Sequence, residues 1–311
     1  MKLRQLQLLL AVARNDMNIS AAAAALNTSQ PSVSRQIIQL EEELGAPLFT
    51  RRKNRMIGLT PTGEAAYEAA RRIENQISNI DLMAREARDP NEGTFNLVTS
   101  HLHARYTMLQ PMRELQRNYP GVHVTLLQAD PDRIPDLVRD GDADIGLSTS
   151  DPKGEPLPGL VMLRGELLRR TAIFAKGHPL AKKREVTLAD LCEYDVIGYN
   201  HRSRTGRIIH EALENAGLHP RISVKVNDSD VIKAYVAEGL GVGIVPEITL
   251  SPHDALVTRD ITHLLPKSHI CVILRDDMHL RQSLVALLST ICPQWSAGAL
   301  RRKMRKAQVG S

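Results

Sequence analysis

Apolar side chains in the first ninety residues recur at helical intervals, and polar capping residues punctuate them. Leu3, Leu6, Leu10 and Ala13 share one face and predict an amphipathic helix from about Leu3 to Asn15. Alanines at 21–25 predict a second helix through Leu26 that packs closely because its side chains are small, with Asn18 as its N-cap. Ser29 is placed to cap a third helix, with Pro31 in the first turn, where a missing N–H costs nothing. Val33, Ile37 and Leu40 mark the buried face of that helix. Thr60 and Pro61 then open a long helix to about Arg88, broken by nothing except Gly63 in its first turn. Along it Ala66, Ala70, Ile73, Ile77, Ile80, Ala84 and Ala87 alternate spacings of four and three, a heptad seam.

After Asn91-Glu92-Gly93 the pattern changes to strands alternating with helices. Strands are predicted at 94–101, 122–129, 143–149, 195–199, 222–227 and 242–246, and helices at 105–118, 132–139, 205–216, 229–240 and 280–291. Such alternation implies mostly parallel sheets covered on both faces, and a span of about 220 residues suits two such lobes with a cleft between them. The expected organisation is a first domain over 1–60, a linker helix over 61–90 and an α/β domain of two lobes over 91–311.

The polar positions carry the chemistry. Residues 20–63 read as a small-residue helix, a tight turn, a helix rich in polar side chains and a basic hairpin. That is the layout of a winged helix-turn-helix, which sets one helix in the major groove of DNA. Ser29, Gln30, Pro31, Ser32, Ser34, Arg35 and Gln36 gather at the N-terminal end of the third helix, largely off its apolar face. Arg reads guanine bidentately, Gln reads adenine, and Ser donates to phosphate or base edges. Arg51, Arg52, Lys53 and Arg55 follow Phe49 as a wing for the phosphate backbone, and Glu41, Glu42 and Glu43 should point away from it. A polar face or a charged loop is by itself most often just solvated; agreement among the helix, the turn and the hairpin favours DNA. Helix-turn-helix proteins read two half-sites as dimers, so the heptad seam over 61–90 is better matched to a second copy than to its own domain.

Charge sharpens this picture. The net charge is +5, but residues 1–60 carry eight basic against four acidic side chains and 301–306 (RRKMRK) carries five basic and no acid. The remaining body is therefore net negative, which confines phosphate contact to the ends of the chain. Short terminal charge runs are usually solvated and disordered, the default for this tail. With aromatics at 3%, stacking platforms for single strands are lacking, and duplex DNA is favoured. Cys192, Cys271 and Cys292 form no CxxC pair and read as reduced thiols. No apolar run is long enough to span a bilayer, and the opening MKLRQLQLLLAVARND is interrupted by Gln5, Gln7 and Arg14, unlike a signal peptide. A cytoplasmic protein is expected.

The segment TSQPSVSRQIIQLEEELGAPLFTR at 28–51, with LTPTGE at 59–64, resembles the LysR-type transcriptional regulators. The resemblance extends over the whole chain, with residues 91–311 similar to that family's effector-binding domain, built like a periplasmic solute-binding protein. It implies a dimer or tetramer that binds inverted-repeat operators, responds to a small co-inducer and has RNA polymerase as a further partner. Within the family the chain is most like the CysB branch, which regulates cysteine biosynthesis, through MKLRQLQ, HLHARYTMLQ at 101–110 and NDSDVIKAYVAEGLGVGIVPE at 227–247. That branch reads Thr-Thr-His-Thr-Gln-Ala-Arg-Tyr where residues 99–106 here read Thr-Ser-His-Leu-His-Ala-Arg-Tyr. Leu102 and His103 thus replace two polar residues that contact a sulfate or acetylserine-type ligand in the branch.

Ligands of open α/β sheets bind beyond the carboxyl ends of strands, where helix N-termini offer free N–H groups. Thr99 and Ser100, Ser148 and Thr149, and Thr205 with Gly206 fit that geometry and suit an anion. Hydroxyls at strand ends are commonly plain helix caps, but by resemblance Thr99, Ser100, Thr149 and Thr205 match pocket positions. Leu102 suggests a less polar wall and an organic ligand. His103 either donates to an anion, making affinity pH-dependent, or is a half-buried histidine bonded to backbone. His101 and His103 lack a third ligand nearby for a metal. No cofactor is expected beyond the co-inducer, a sulfur-related compound or another carboxylate. The last 220 or so residues alone would suit a solute-binding protein. An enzyme is disfavoured: Ser100 and His101, adjacent on a strand, point to opposite faces, and no GxSxG, P-loop or metal motif occurs.

Overall fold

The computed structural model describes residues 1–53, 55–150, 157–200 and 203–309, with side chains to Ala307. The chain divides into two compact units, Met1–Ala84 with Asp277–His279, and Arg85–Asp276 with the remainder from Leu280.

The first unit contains α1 (Leu3–Arg14), α2 (Ile19–Ala25), α3 (Gln30–Leu44), a hairpin of β1 (Phe49–Arg52) and β2 (Arg55–Leu59), and most of α4 (Pro61–Arg88). Its core is built by Leu9, Val12, Ala22, Val33, Ile37, Leu40 and Leu48, all essentially inaccessible. Asn18 caps α2 by accepting from the backbone N–H groups of Ser20 and Ala21 at 3.0 and 3.1 Å. Ser29 holds the N-cap position of α3, but its side chain makes no cap bond, so the cap expected there is positional only. Gly45 ends α3 with φ 66°, a left-handed conformation that glycine reaches without a steric penalty. The Thr60 hydroxyl accepts from Gly63 N at 2.9 Å and donates to Pro47 O, fixing the start of α4. Gly63 packs so closely on the wing that a Cβ there would lie 1.9 Å from Leu48 O.

The apolar stripe of α4 divides. Ala66, Tyr67 and Ala70 pack on the core of the first unit, as a stripe docking on its own domain would. Farther along, Ile73, Ile80 and Met83 are 40%, 65% and 47% exposed.

The second unit holds two sheets, each the floor of one lobe. Lobe I contains β3 (Glu92–Thr99), α5 (Leu109–Asn118), β4 (Gly121–Gln128), α6 (Ile134–Arg139), β5 (Ile145–Thr149) and β6 (Leu160–Leu167). The chain then builds lobe II from β7 (Arg170–Ala175), α7 (Leu188–Cys192), β8 (Val196–Tyr199), α8 (Arg204–Asn215), β9 (Ile222–Val226), α9 (Ser229–Ala237), β10 (Val242–Pro246) and β11 (Leu256–Asp260). It returns to lobe I with β12 (His269–Arg275), α10 (Gln282–Ile291) and α11 (Ala297–Val309). The strand orders are β4-β3-β5-β12-β6 and β11-β7-β10-β8-β9.

The expectation of mostly parallel sheets is corrected: each sheet is half parallel and half antiparallel. β4, β3 and β5 run parallel, as do β10, β8 and β9, but β12 is antiparallel to β5 and β6, and β7 is antiparallel to β10 and β11. The chain leaves lobe I through β6–β7 and comes back through β11–β12, so the strands at these two crossings must oppose one another. The crossings are bonded side by side, with Leu168 N donating to Ser268 O at 2.9 Å and Ile261 N to Arg170 O at 3.0 Å.

A second correction concerns the basic tail. Rather than disordered, RRKMRK lies on α11, anchored by Leu300 and Met304, which are 1% and 4% exposed, while its five cations face solvent. No helix among the described residues is long and apolar enough to cross a membrane.

Candidate functional site

Two surfaces carry the candidate chemistry, one on each unit. On the first, the buried face of α3 leaves Ser29, Gln30, Pro31 and Arg35 exposed and Ser32, Ser34 and Gln36 half-buried at the N-terminal end. Gln30 is held by the Ser20 hydroxyl at 3.2 Å, so α2 orients a side chain of α3. Among the described residues Arg35 reaches only its own helix, Nε to Pro31 O at 3.4 Å. Glu41 turns towards the wing: one carboxylate oxygen accepts from Leu48 N and Phe49 N, and the other pairs with Arg51 at 2.6 Å. Arg51 is thus ion-paired while still exposed, whereas Arg52, Lys53 and Arg55 are exposed and form no ion pair among the described residues.

On the second unit a cleft of about 510 Å³ opens between the lobes. Ser100, Leu102, Thr149 and Thr205 line it, as do Tyr106, Asp130, Tyr199, Asn200, Ser203, Arg204 and Asp228. Two expected wall residues are elsewhere. Thr99 is fully buried, and its hydroxyl donates to Leu147 O at 2.7 Å, tying β3 to β5. His103 is also fully buried, because the chain turns sharply over His103–Thr107 after β3 and sends Leu102 and His103 in different directions. Its Nδ1 bonds the Thr107 hydroxyl at 2.9 Å and its Nε2 the Thr149 hydroxyl at 3.1 Å. Burial, helped by the charge of Arg170, pushes the imidazole down to about 4, so it stays neutral. His103 therefore positions Thr149 and is not itself a donor in the cleft.

Arg170 lies in β7 and is 1% exposed; among the described residues no carboxylate pairs with it, and its side chain bonds the Ser268 hydroxyl at 3.2 Å. Its charge acts on both His103 and Tyr199. Tyr199, pushed up to about 12 by burial, shares a 2.6 Å bond with the Ser229 hydroxyl.

Charged groups fasten the lobes on both sides of the cleft. Arg204, in the first turn of α8, donates to Thr149 O at 2.9 Å and to Asp132 at 3.1 Å, and Arg207 grips both oxygens of the same carboxylate at 2.9 Å. Bonds from Arg207, with Arg204 behind them, outweigh burial and hold Asp132 below the usual carboxylate range. On the other side His101 meets Asp228 at 3.0 Å, and Tyr106 and Arg105 meet Asp230 at 2.5 and 3.0 Å. His101, Asp228 and Asp230 offer ligand atoms within 4.8 Å of one another, the spacing of a metal site. Arg105 and Lys233, 3.0 and 3.1 Å from Asp230, already supply the positive charge a cation would bring.

Several of the residues that sequence reasoning missed share one signal. Asp130 follows β4, Asn200 follows β8, and Asn227–Ser229 follow β9, all at carboxyl ends of parallel strands, where the same rule that selected Ser100 and Thr149 applies.

Residues 3–64 match the bacterial regulatory helix-turn-helix protein, lysR family, and residues 88–295 match the LysR substrate binding domain. The chain belongs to the LysR family. As a LysR-type transcriptional regulator it is a DNA-binding protein with an effector-binding domain, not an enzyme or a solute-binding protein. The HTH-type transcriptional regulator SsuR of Burkholderia cenocepacia is 33% identical over 310 residues, covering 99% of this chain and all of that protein. The regulator CysB of the same organism is 32% identical over 298 residues, 94% of each chain. Among solved structures, the cofactor-binding domain of the Cbl transcriptional regulator superposes with a TM-score of 0.62 at 28% identity, covering 68% of this chain and 93% of that one. Full-length CbnR complexed with its target DNA shares the fold, with a TM-score of 0.55 at 23% identity over 98% of this chain and all of that chain.

Proposed function

We propose that this LysR-type regulator reads inverted-repeat operators by inserting the N-terminal end of α3 into the major groove. Ser29, Gln30, Pro31, Ser32, Ser34, Arg35 and Gln36 face the bases and phosphates there, and Arg51, Arg52, Lys53 and Arg55 of the wing lie on the backbone. The observation that carries this is the exposed Arg35 near the start of α3, bonded only to Pro31 O of its own helix among the described residues, on the same unit as three wing cations that form no ion pair among those residues. A dimer forms through the exposed stripe of α4 within residues 61–90, and two dimers make a tetramer that acts in the cytoplasm and meets RNA polymerase.

A small co-inducer bearing an anionic group binds the cleft at Ser100, Leu102, Thr149 and Thr205, with Thr99 and His103 supporting that wall from behind. Resemblance to the CysB branch favours a compound of sulfur or cysteine metabolism, and Leu102 favours an organic one. Binding changes how the lobes close and so how paired dimers sit on the operator, by no more than the ligand's differential affinity for the two arrangements.

Selection from a random duplex library tests the reading. The full-length protein should recover an inverted repeat, and Arg35→Ala should bind it about tenfold or more weakly, since a lost bidentate base contact costs about 1–3 kcal/mol. Recovery of no symmetric site, or an Arg35→Ala protein that binds as wild type, would refute it.

A further inference from the structure

The ionised side chains on the cleft walls do not suit a simple anion. Arg204 contributes one positive charge, and Asp130 and Asp228 contribute two negative ones. Asp228 is already engaged, since it accepts from Asp230 N as the cap of α9 and pairs with His101. Asp130 is different. It projects from lobe I at the end of β4, its Oδ1 accepts only the backbone N–H of Asp132 at 3.0 Å, and no cation pairs with it among the described residues. From lobe II, Arg204 brings a guanidinium beside Thr149, and its Nε is buried without a partner among the described residues. An inorganic anion entering this cleft is drawn to Arg204, whereas Asp130, exposed and without a cation among the described residues, offers it only a water-screened repulsion. A ligand that carries its own cation converts that repulsion into a second charge-assisted bond. The cleft, at about 510 Å³, also has room for more than a bare tetrahedral anion.

We propose that the effector is a zwitterion of the α-amino-acid type, its carboxylate held by Arg204 with the Ser100 and Thr149 hydroxyls and its ammonium held by Asp130. The inference rests on the cleft being the effector site. Asp132, now the carboxylate partner of Arg204, is the group the ligand carboxylate displaces or joins; Arg207 retains it in either case. Specificity for charge then lies in Asp130 and Arg204, one from each lobe, so a ligand must bridge the lobes to satisfy both.

Calorimetry on the full-length protein tests this with each common α-amino acid, the 2-hydroxy acid of the same side chain, and sulfate. The hydroxy acid replaces only the ammonium with a hydroxyl. At least one amino acid should bind saturably, and its hydroxy acid should bind about tenfold or more weakly, as loss of a charged hydrogen bond dictates. Asp130→Asn should shrink that ratio to within about threefold by weakening the amino acid alone, and Arg204→Gln should weaken both members of the pair. Hydroxy acids or sulfate binding as tightly as every amino acid would overturn the zwitterion while leaving the cleft reading intact, provided Thr149→Val and Arg204→Gln abolish that binding. Binding untouched by either substitution would instead remove the cleft as the effector site. Failure of every probe to bind also overturns the proposal.

Discussion

A buried neutral histidine makes this protein acid-sensitive by a calculable amount. His103 is pushed from 6.5 to about 4 by burial and the nearby Arg170 charge, whereas in the unfolded chain it titrates normally. Its folded value is depressed, so below pH 6.5 the unfolded state binds the proton first. Stability is therefore fully present above pH 6.5 and is lost as pH falls towards 4. The linkage relation then gives a loss on the order of 1 kcal/mol at pH 5.5 relative to pH 7.5, rising towards roughly 3 kcal/mol well below pH 4. The single tryptophan, Trp295, lies in the effector unit, so its fluorescence reports that unit in the full-length protein. Urea titrations of wild type and His103→Gln at the two pH values isolate the histidine, because every other titrating group cancels in the difference. The wild type should lose roughly 1 kcal/mol more than the variant between pH 7.5 and pH 5.5. Equal losses would show that His103 is solvated or already charged, and the argument for its role behind Thr149 would fail.

Two further substitutions probe the first unit. Ile80→Glu places a charge on the most exposed large apolar residue of α4, and burial of an isoleucine is worth about 1.5–3 kcal/mol per chain. Sedimentation should therefore show the dimer constant weakened by about a hundredfold or more, and an unchanged constant would place the interface elsewhere. Gly63→Ala would gain helix propensity yet set a Cβ 1.9 Å from Leu48 O, and overpacking of this kind costs about 1–3 kcal/mol. Melting followed by circular dichroism should show the DNA-binding unit destabilised while the Trp295 transition stays put; a stabilised unit would contradict the packing.

Residues 1–88 were legible because each helix there carries its own signature: α1 and α3 bury one periodic face, Asn18 caps, and Pro61 starts the long helix. The strands β6, β7, β11 and β12 were not foreseen, and β12 shows why. His269–Arg275 is buried at every position but the first, so it has no alternation from which to read a strand. The cleft was half legible. Ser100, Thr149 and Thr205 line the cleft where strand ends and helix starts suggested, and Leu102 where the resemblance put it; Thr99 points inward with Phe95 and Leu97 by the alternation of β3, whereas the turn over His103–Thr107 buries His103, and periodicity does not encode such a turn. Arg204 and Asp130 acquire meaning only when two distant segments face each other across the lobes. The basic tail misled because charge pattern outweighed the two apolar anchors, Leu300 and Met304, four residues apart.

The double crossing between the lobes also sets an order of assembly. β12 lies between β5 and β6 and pairs with both, yet lobe II, residues 170–260, separates it from them in the chain. Lobe II is one continuous stretch and can close its sheet from its own strands. Lobe I cannot: during synthesis β5 and β6 wait with open edges until β12 is made. Pairings of such long sequence separation close slowly, and open edges recruit other chains in the meantime. Pulse-labelled hydrogen exchange should find β8 and β10 protected before β5 and β6. The half of the cleft that carries Ser100, Asp130 and Thr149 is thus the half whose sheet is completed by the last strand to be made.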